Sequence, residues 1–229
     1  QNYKLIFNCD YHHLISKKFF SKKIEKNYNS FAHISILKHK KLLNNNTASQ
    51  IFTKKGPLAF LPISPTETSI VYSAKGKKDI DLDYLIKKYN SKYDILKINK
   101  FTSFELKSSN LRSYYHENII AFGDLLHKLH PLAGQGFNMT IRDIKEINQL
   151  IKFKKEHGLD LDKSICLDFE KNTKSNNYLF SNGIDFIYEF FNFENKLNTN
   201  TLSKSVKYLG KNKILNNFFI KFADNGLII

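Results

Sequence analysis

The stretch GDLLHKLHPLAGQGFNMTIRD, residues 123–143, differs in composition from the Lys- and Asn-rich sequence on either side of it. A short apolar run leads into Gly123-Asp124 and predicts a strand that ends there. Pro131 and the glycines that follow it predict a bend. From residue 141 onward, apolar residues recur at helical spacing. The sequence therefore predicts a strand, a glycine-rich turn and a helix in succession.

This order of elements can hold a ligand. A strand that ends in Gly123-Asp124 places a carboxylate at the carboxyl edge of a sheet, where the ligands of open α/β sheets bind. The turn Gly134-Gln135-Gly136 exposes backbone N–H groups beside a helix predicted to begin near Asn138, whose positive end favours an anion or an electron-rich ring. An acid for hydroxyl groups beside an amide-rich turn fits a flavin better than a phosphate. A plain strand–loop–helix connection, capped by Asn138 or Thr140, remains the alternative.

Two histidines, His127 and His130, lie within the same stretch. The spacing His-x-x-His can place two imidazoles on one helical face for a metal ion. No third ligand follows at a suitable spacing, and Pro131 interrupts a regular helix there. We therefore predict no metal site and expect both histidines to be structural or to line a ligand.

Working outward, apolar and β-branched runs predict strands on either side of one helix. They are KLIFNC, FAHISILKH, SQIFTKK, LAFLPIS, TSIVYSA and ILKINKFTSFEL. The helix is predicted at DLDYLIKKYN, with Asp81 as its cap, and Gly56-Pro57 reads as a turn. After Gly158 the pattern is helical to the end, including TLSKSVKYL. The fold class predicted is α/β, with α+β character: a mixed sheet, the strand–turn–helix unit, and then helices.

Composition narrows the possible functions. The net charge of +15 is spread over scattered lysines, with only two arginines, so we expect basic solvated faces or an anionic membrane surface, and no nucleic-acid partner. No apolar run reaches the roughly 18–20 residues of a membrane-spanning helix. Cys9 and Cys166 match no metal or redox spacing and are predicted to be reduced core thiols.

Residues 123–143 resemble the second flavin-binding motif of the class A FAD-dependent aromatic hydroxylases, in particular those of the ubiquinone-biosynthesis type. The family pattern is G-D-A-A-H-x-x-H-P-L-A-G-Q-G-x-N-x-G-x-x-D. The matching positions are Gly123, Asp124, His127, His130, Pro131, Leu132, Ala133, Gly134, Gln135, Gly136, Asn138 and Asp143. Residues 56–73 resemble a second family segment, G-P-L-A-x-L-P-x…S-x-V-W-S, which lines the substrate-side sheet. Asp10 and Ser16 match a third segment weakly, and the C-terminal helices match in pattern.

The resemblance implies an FAD site built from this chain. Asp124 would bind the ribityl chain, and Gly123 would allow its approach. The implied cofactor-binding residues are Gly123, Asp124, Pro131, Gly134, Gly136, Phe137 and Asn138. The implied lining of the ring side is Pro131, Gly134 and Gln135. No catalytic side chain is implied, because the chemistry is the cofactor's.

The implied activity is a flavin-dependent monooxygenase that uses NADH or NADPH and O2 to hydroxylate an aromatic ring of a polyprenylated ubiquinone precursor. The implied partners are that polyprenyl phenol or benzoquinol, a ubiquinone-biosynthesis complex and the membrane surface. The expected location is cytoplasmic, with peripheral contact at the inner face of the membrane. The alternative is a non-catalytic relative that acts in assembly of a biosynthetic complex.

The implied domains are an end strand of the FAD domain (1–30), a substrate-binding sheet domain (31–110), the second half of the FAD domain (111–157) and a helical region (158–229). The nine glycines contain no G-x-G-x-x-G array for the ADP half of FAD. We therefore expect that a dinucleotide-binding module of roughly 100–150 residues is missing and that these residues alone bind little FAD.

The chain also departs from the family pattern. Leu125 and Leu126 stand where the family has small residues, and Tyr11 stands where it has glycine. Lys128 and Thr140 are further replacements. Whether Leu125 and Leu126 point outward or crowd the flavin is left open by the sequence.

Overall fold

A computed structural model describes residues 3–53, 55–76, 80–130 and 135–197, together with residue 217. Its residues form two compact units. The first unit contains residues Gln1–Lys26 and Lys107–Ile229, and the second contains Asn27–Leu106. The mixed α/β character predicted from the sequence is confirmed. The division into four parts with assigned functions stays a prediction.

Ten strands and four helices are present in the part of the chain that the structure describes. The strands are β1 (Ile6–Asn8), β2 (Lys23–His39), β3 (Ser49–Thr53), β4 (Gly56–Ser64), β5 (Glu67–Lys75), β6 (Ile95–Ile98), β7 (Thr102–Leu111), β8 (Tyr115–His116), β9 (Ile119–Ala121) and β10 (His127–Lys128). The helices are α1 (Leu14–Phe19), α2 (Leu82–Tyr89), α3 (Gln135–Glu156) and α4 (Lys163–Leu197). A short 3₁₀ helix spans Gly123–Leu125.

The first unit combines a small sheet with two long helices. Its sheet has the order β1-β9-β8, in which β1 and β9 are parallel and β8 is antiparallel to β9. The two-residue strand β10 pairs antiparallel with the end of β7, where His127 lies opposite Asn110. A core of buried residues from β9, the residues after it, α3 and α4 holds these elements together. Because β1 and β9 are parallel, their carboxyl ends lie at the same edge of this small sheet.

The second unit is an antiparallel sheet with one helix on it. Its strands follow the order β7-β2-β5-β4-β3, and β6 pairs with β2. One face packs against α2, with Leu37, Phe60 and Ile86 in the buried core. The helix α2 begins as predicted, because the Asp81 carboxylate accepts a hydrogen bond from the N–H of Tyr84 at 2.9 Å. Alternate apolar residues therefore form this core, as expected for a half-buried sheet.

Several local predictions need correction. The turn predicted at Gly56-Pro57 is wrong, since Gly56 already begins β4 and pairs with Thr53 of β3. Helix α1 and the two-residue strands β8 and β10 carry no clear sequence signal and were missed. Cys166 is buried as predicted, but Cys9 is exposed, so its assignment to the core is wrong. The predicted helix TLSKSVKYL lies outside the described residues.

Candidate functional site

Two acids follow the two parallel strands of the first unit. Asp10 comes two residues after β1, and Asp124 comes three residues after β9. Because the carboxyl ends of parallel strands share one edge, both acids lie at that edge, as the sequence predicted for Asp124. The Asp10 carboxylate accepts a hydrogen bond from the N–H of His12 at 2.8 Å. The exposed Asp124 carboxylate has no hydrogen bond or ion pair within the described residues, so it can accept bonds from a ligand.

Gly123 has the backbone conformation that only glycine adopts easily. Its φ is +62°, and a Cβ added there would meet no atom within 4 Å. The glycine is therefore required by the backbone angle, and the space beside it is open. An incoming group can approach the backbone at Gly123 next to the Asp124 carboxylate.

Leu125 and Leu126 point into the protein. Their exposed fractions are 3% and 0%, and both belong to the core of the first unit together with Phe122 and Phe169. The question left open by the sequence is thus settled for these side chains, which lie among core residues and away from the exposed Asp124 carboxylate. The two leucines add apolar contacts that anchor the 3₁₀ helix Gly123–Leu125 to the core.

Tyr11 is also accommodated. Its ring packs against the core of the first unit, and its hydroxyl forms a hydrogen bond with the Lys23 ammonium. The turn after β1 is closed by Ser16, which donates to the Asp10 carbonyl oxygen and accepts from Asn8 Nδ2 at 2.8 Å. The sequence match at Asp10 and Ser16 thus corresponds to one hydrogen-bonded turn at the same edge as Asp124.

The helix α3 begins at Gln135, three residues before the predicted start. Asn138 and Thr140 are therefore inside the helix, and neither is its N-cap. Asn138 Nδ2 donates to Gln135 Oε1 at 3.3 Å, and Thr140 Oγ1 donates to the Gly136 carbonyl oxygen at 3.4 Å. Pro131 and Gly134 of the predicted set lie outside the described residues.

The first turn of α3 is suited to an anionic or electron-rich group. It contains no acid, and the first N–H groups of a helix have no partner within the helix. A Cβ at Gly136 would meet no atom within 4 Å, and the Phe137 side chain is 73% exposed. In the part of the chain that the structure describes, there is thus open space beside Gly136 and Phe137.

The histidines of the stretch are both buried and differ in their surroundings. His127 Nε2 lies 2.5 Å from Asp143 Oδ2, and Asn177 Nδ2 donates to Asp143 Oδ1 at 2.9 Å. His130 packs on the ring of Tyr188, with ring centroids 4.3 Å apart. Burial, with a smaller contribution from the charge of Lys26, lowers the pKa of His130 to about 4.

Among the described residues, no group of three or more His, Cys, Asp or Glu side chains could hold a metal ion. The sequence indicated His127 and Asp143 only as motif positions, and it gave no signal for Asn177, which lies 34 residues from Asp143. Tyr114, which is 2% exposed, lies close enough to Asp143 to be affected by its charge. Burial and the charge of Asp143 raise the pKa of Tyr114 well above its usual range.

The residues present fit the ribityl and ring side of a flavin. The Asp124 carboxylate can accept bonds from hydroxyl groups, Gly123 leaves space beside it, and the first turn of α3 offers donors without a competing acid. The described residues show no glycine-rich strand–helix turn for the ADP half. The chain thus carries features for one half of such a ligand.

Comparison with known proteins found relatives by sequence and by fold. No protein-family model matches the chain. The ubiquinone biosynthesis monooxygenase COQ6 of Schizosaccharomyces pombe is 22% identical over 250 aligned positions, covering 88% of this chain and 52% of that protein. The protein of the same name from Xenopus tropicalis is 23% identical, with 82% and 50% covered. The chain thus spans about half the length of these relatives.

Solved structures share the fold. The p-nitrophenol 4-monooxygenase PnpA from Pseudomonas putida matches 99% of this chain and 60% of its own, with a TM-score of 0.77 and 10% identity. The flavin-dependent brominase Bmp2 matches 96% of this chain and 57% of its own, with a TM-score of 0.69 and 13% identity. The resemblance predicted from residues 123–143 is confirmed.

Proposed function

We propose that this chain, a relative of the ubiquinone biosynthesis monooxygenases, provides the substrate sheet and the ring-side half of the FAD site in a flavin-dependent monooxygenase. The enzyme would hydroxylate an aromatic ring of a polyprenylated ubiquinone precursor, with NADH or NADPH and O2 as co-substrates. The observation that carries the proposal is the Asp124 carboxylate, which is exposed and has no partner within the described residues, at the carboxyl end of β9. The acid-free start of α3 supports it.

Each residue has a separate task in this proposal. Asp124 accepts hydrogen bonds from the ribityl hydroxyls, and Gly123 allows them to come close. Gly136, Phe137 and Asn138 present backbone groups of the first turn of α3 to the ring. We propose the same neighbourhood for Pro131, Gly134 and Gln135, on the ring side.

The chemistry of oxygen insertion belongs to the flavin, which takes electrons from the nicotinamide cofactor and activates O2 when it is bound. The protein binds, orients and stabilises charge. With a flavin bound, the positive end of the α3 dipole would favour negative charge on the ring, because no acidic side chain opposes it in the first turn.

The sheet of the second unit supports an apolar substrate. Ala59, Val71 and Ile34 form a row across three strands on the face opposite α2. Leu61 is on the same face, two residues along β4, and it is 40% exposed. Val71 and Ile34 are half-buried. This face is apolar and partly uncovered, as expected for a surface that binds a hydrocarbon chain.

Contact with a membrane surface is part of the proposal. The net charge of +15 attracts anionic lipids, and α4 exposes Leu179, Phe186 and Phe193 at intervals of seven residues. Within the described residues, no helix has the length and hydropathy to cross a membrane. Sedimentation with vesicles of anionic and of neutral lipid tests this contact, and equal sedimentation with both would contradict the electrostatic part.

Location and complex membership are proposals without a supporting observation in the structure. The relatives carry the word mitochondrial in their names, so they give no support to the cytoplasmic location predicted from the sequence. The non-catalytic alternative rests on the departures from the family pattern at Leu125, Leu126 and Tyr11. All three side chains pack into the core of the first unit, so these departures no longer favour it.

Rapid mixing of the full-length, flavin-loaded protein with NADH or NADPH under anaerobic conditions tests the activity. We expect loss of the oxidised flavin absorbance, followed by reoxidation when O2 is added. Hydroxylation of a short-chain prenylated phenol is then measured by mass spectrometry. A protein that binds flavin but is reduced by neither nicotinamide cofactor would contradict the proposal, and a purified protein without any flavin would restore the non-catalytic alternative.

A further inference from the structure

Asp143 is a buried carboxylate with both oxygens engaged. The exposed fractions of His127, Asp143 and Asn177 are 1%, 1% and 5%. Asp143 Oδ2 lies 2.5 Å from His127 Nε2, and Asp143 Oδ1 accepts from Asn177 Nδ2 at 2.9 Å. A buried carboxylate is costly unless its oxygens accept hydrogen bonds, and here each oxygen faces a donor. The three side chains form one hydrogen-bonded cluster in which both carboxylate oxygens are engaged, and we call it the Asp143 cluster.

The contact shows which ring nitrogen serves Asp143. His127 Nε2 faces Asp143 Oδ2, whereas His127 Nδ1 is buried and has no hydrogen-bond partner among the described residues. An N–H at Nε2 donates to the carboxylate. Within the described residues, the hydrogen bond to Asp143 is thus the contact that orients the imidazole ring.

The Asp143 cluster joins three elements of the first unit. His127 is in β10, Asp143 is about two turns from the start of α3, and Asn177 is in the middle of α4. One turn before Asp143, the buried Met139 packs against Phe180 and Ile184 of α4. Polar and apolar contacts thus hold the same two turns of α3, and these turns begin at Gln135, the first residue of the helix.

We propose that Asp143 is a positioning residue that, with His127 and Asn177, fixes the first two turns of α3. Its consequence for the flavin rests on the proposed function: the N–H groups of Gln135–Phe137 are then presented to the ring in one orientation. Asp143 itself, buried and about 12 Å along the helix axis from Gln135, does not touch the ring.

Three variants distinguish the positioning of the first two turns of α3 from an effect on the stability of the whole protein. Asp143→Asn keeps the size of the side chain but replaces one acceptor by an amide donor, so one of the two donors that face it loses its partner. Asp143→Asn combined with Asn177→Asp restores a complementary set, since the carboxylate is moved to α4. The matched control is Thr173→Val in α4, which removes a buried hydrogen bond to the Phe169 carbonyl oxygen and leaves the three side chains of the Asp143 cluster unchanged.

Amide hydrogen exchange in the flavin-free protein measures the positioning directly. The amides of Met139–Arg142 report the first turns of α3, and those of residues 150–153 report its far end. In Asp143→Asn we expect exchange at Met139–Arg142 to be faster by on the order of tenfold, with little change at 150–153. The double variant should recover most of the protection from exchange. Thr173→Val should leave unchanged the ratio of the exchange rate at Met139–Arg142 to the rate at residues 150–153. If this ratio of exchange rates is the same in a folded Asp143→Asn protein as in the wild type, the inference is refuted.

Flavin titration of the full-length protein then measures the consequence for binding. We expect FAD affinity to fall by roughly tenfold in Asp143→Asn, to recover in the double variant, and to stay unchanged in Thr173→Val. If the wild type takes up no FAD while the exchange result holds, the proposed function fails and the positioning role stands. If FAD binds to the wild type and to Asp143→Asn equally well, the positioning role has no bearing on the flavin and that half of the inference is lost.

Discussion

The two segments that match family motifs, residues 56–73 and residues 123–143, both contain a glycine with a positive φ, but for different physical reasons. At Gly56, with φ +140°, an added Cβ would lie 1.8 Å from the Ser73 carbonyl oxygen. At Gly123, with φ +62°, it would meet no atom within 4 Å. The first glycine allows two strands to approach each other, whereas the second leaves space that nothing in the described chain fills.

The residues around the two glycines differ too: those near Gly56 bond to each other, and the one beside Gly123 does not. Residues near Gly56 satisfy each other, since Thr53 Oγ1 donates to the Gly56 carbonyl oxygen at 2.7 Å and Tyr72 is fully buried nearby. Asp124, beside Gly123, is exposed and has no partner within the described residues. A motif match therefore does not say what a residue is for. A closed environment indicates a role in the fold, and an open one indicates a role in binding.

The largest effect is expected for Gly56→Ala. The new methyl group cannot fit against the Ser73 carbonyl oxygen, so the backbone of β4 or β5 must shift. We expect the free energy of unfolding to fall by about 3 kcal/mol, measured by urea denaturation. The control is Gly76→Ala, at φ +90° with open space, which should cost about 1 kcal/mol for the backbone angle alone. Equal costs for the two variants would remove the distinction between crowded and open glycines.

A fall in pH should destabilise the 123–143 segment through His130. Burial lowers its pKa to about 4, below its ordinary value, so between about pH 6.5 and about pH 4 the unfolded chain binds a proton that the folded one excludes. Stability is therefore lost as the pH falls through this window. We expect a loss of roughly 2 kcal/mol between about pH 7 and about pH 5 from this group.

The difference between wild type and His130→Phe isolates this contribution. Phenylalanine can keep the ring contact with Tyr188 and has no proton to gain. Urea unfolding of both proteins over the same pH range should show a smaller loss in the variant. Parallel pH profiles would mean that His130 is protonated without penalty in the folded state.

Local signals made part of this structure predictable from sequence. Asp81 caps α2 as predicted because the cap and the apolar spacing of that helix lie within a few residues. The strand that leads into Gly123-Asp124 was predicted for the same reason. The start of α3 was wrong because Asn138 is a stronger local capping signal than Gln135, and a local signal does not include the packing of Met139 on α4.

What could not be predicted depends on contacts between distant residues. Asn177 meets Asp143 across 34 residues, and no spacing rule connects an α4 amide to an α3 acid. The direction of Leu125 and Leu126 is also set by distant partners, since Phe169 of α4 is part of the core that receives them. The sequence therefore predicted which residues carry the site, and the packing showed which of the described side chains face outward.

For Asp124→Asn we expect a change in FAD binding and almost none in the free energy of unfolding. The exposed carboxylate makes no contact within the described chain, so the free energy of unfolding should change by less than about 0.5 kcal/mol. FAD affinity of the full-length protein should fall by roughly tenfold, because an amide offers one acceptor where the carboxylate offers two. The control is Asp83→Asn, an exposed acid in the first turn of α2, which should cost up to about 1 kcal/mol of stability through the helix dipole and leave FAD affinity unchanged. Unchanged FAD affinity in Asp124→Asn would mean that the open edge is not the ribityl site.

A change in stability of the opposite sign, and the sharpest contrast with Gly56, is expected for Gly136→Ala. The position is helical and open, so alanine should stabilise α3 by up to about 1 kcal/mol. The same methyl group would occupy space at the helix start that the proposed ring needs, so FAD affinity should fall while the thermal midpoint rises. A variant that is more stable and binds FAD as well as wild type would show that nothing approaches Gly136 closely. Opposite signs in the two measurements are expected only where a glycine is kept for a ligand and not for the fold.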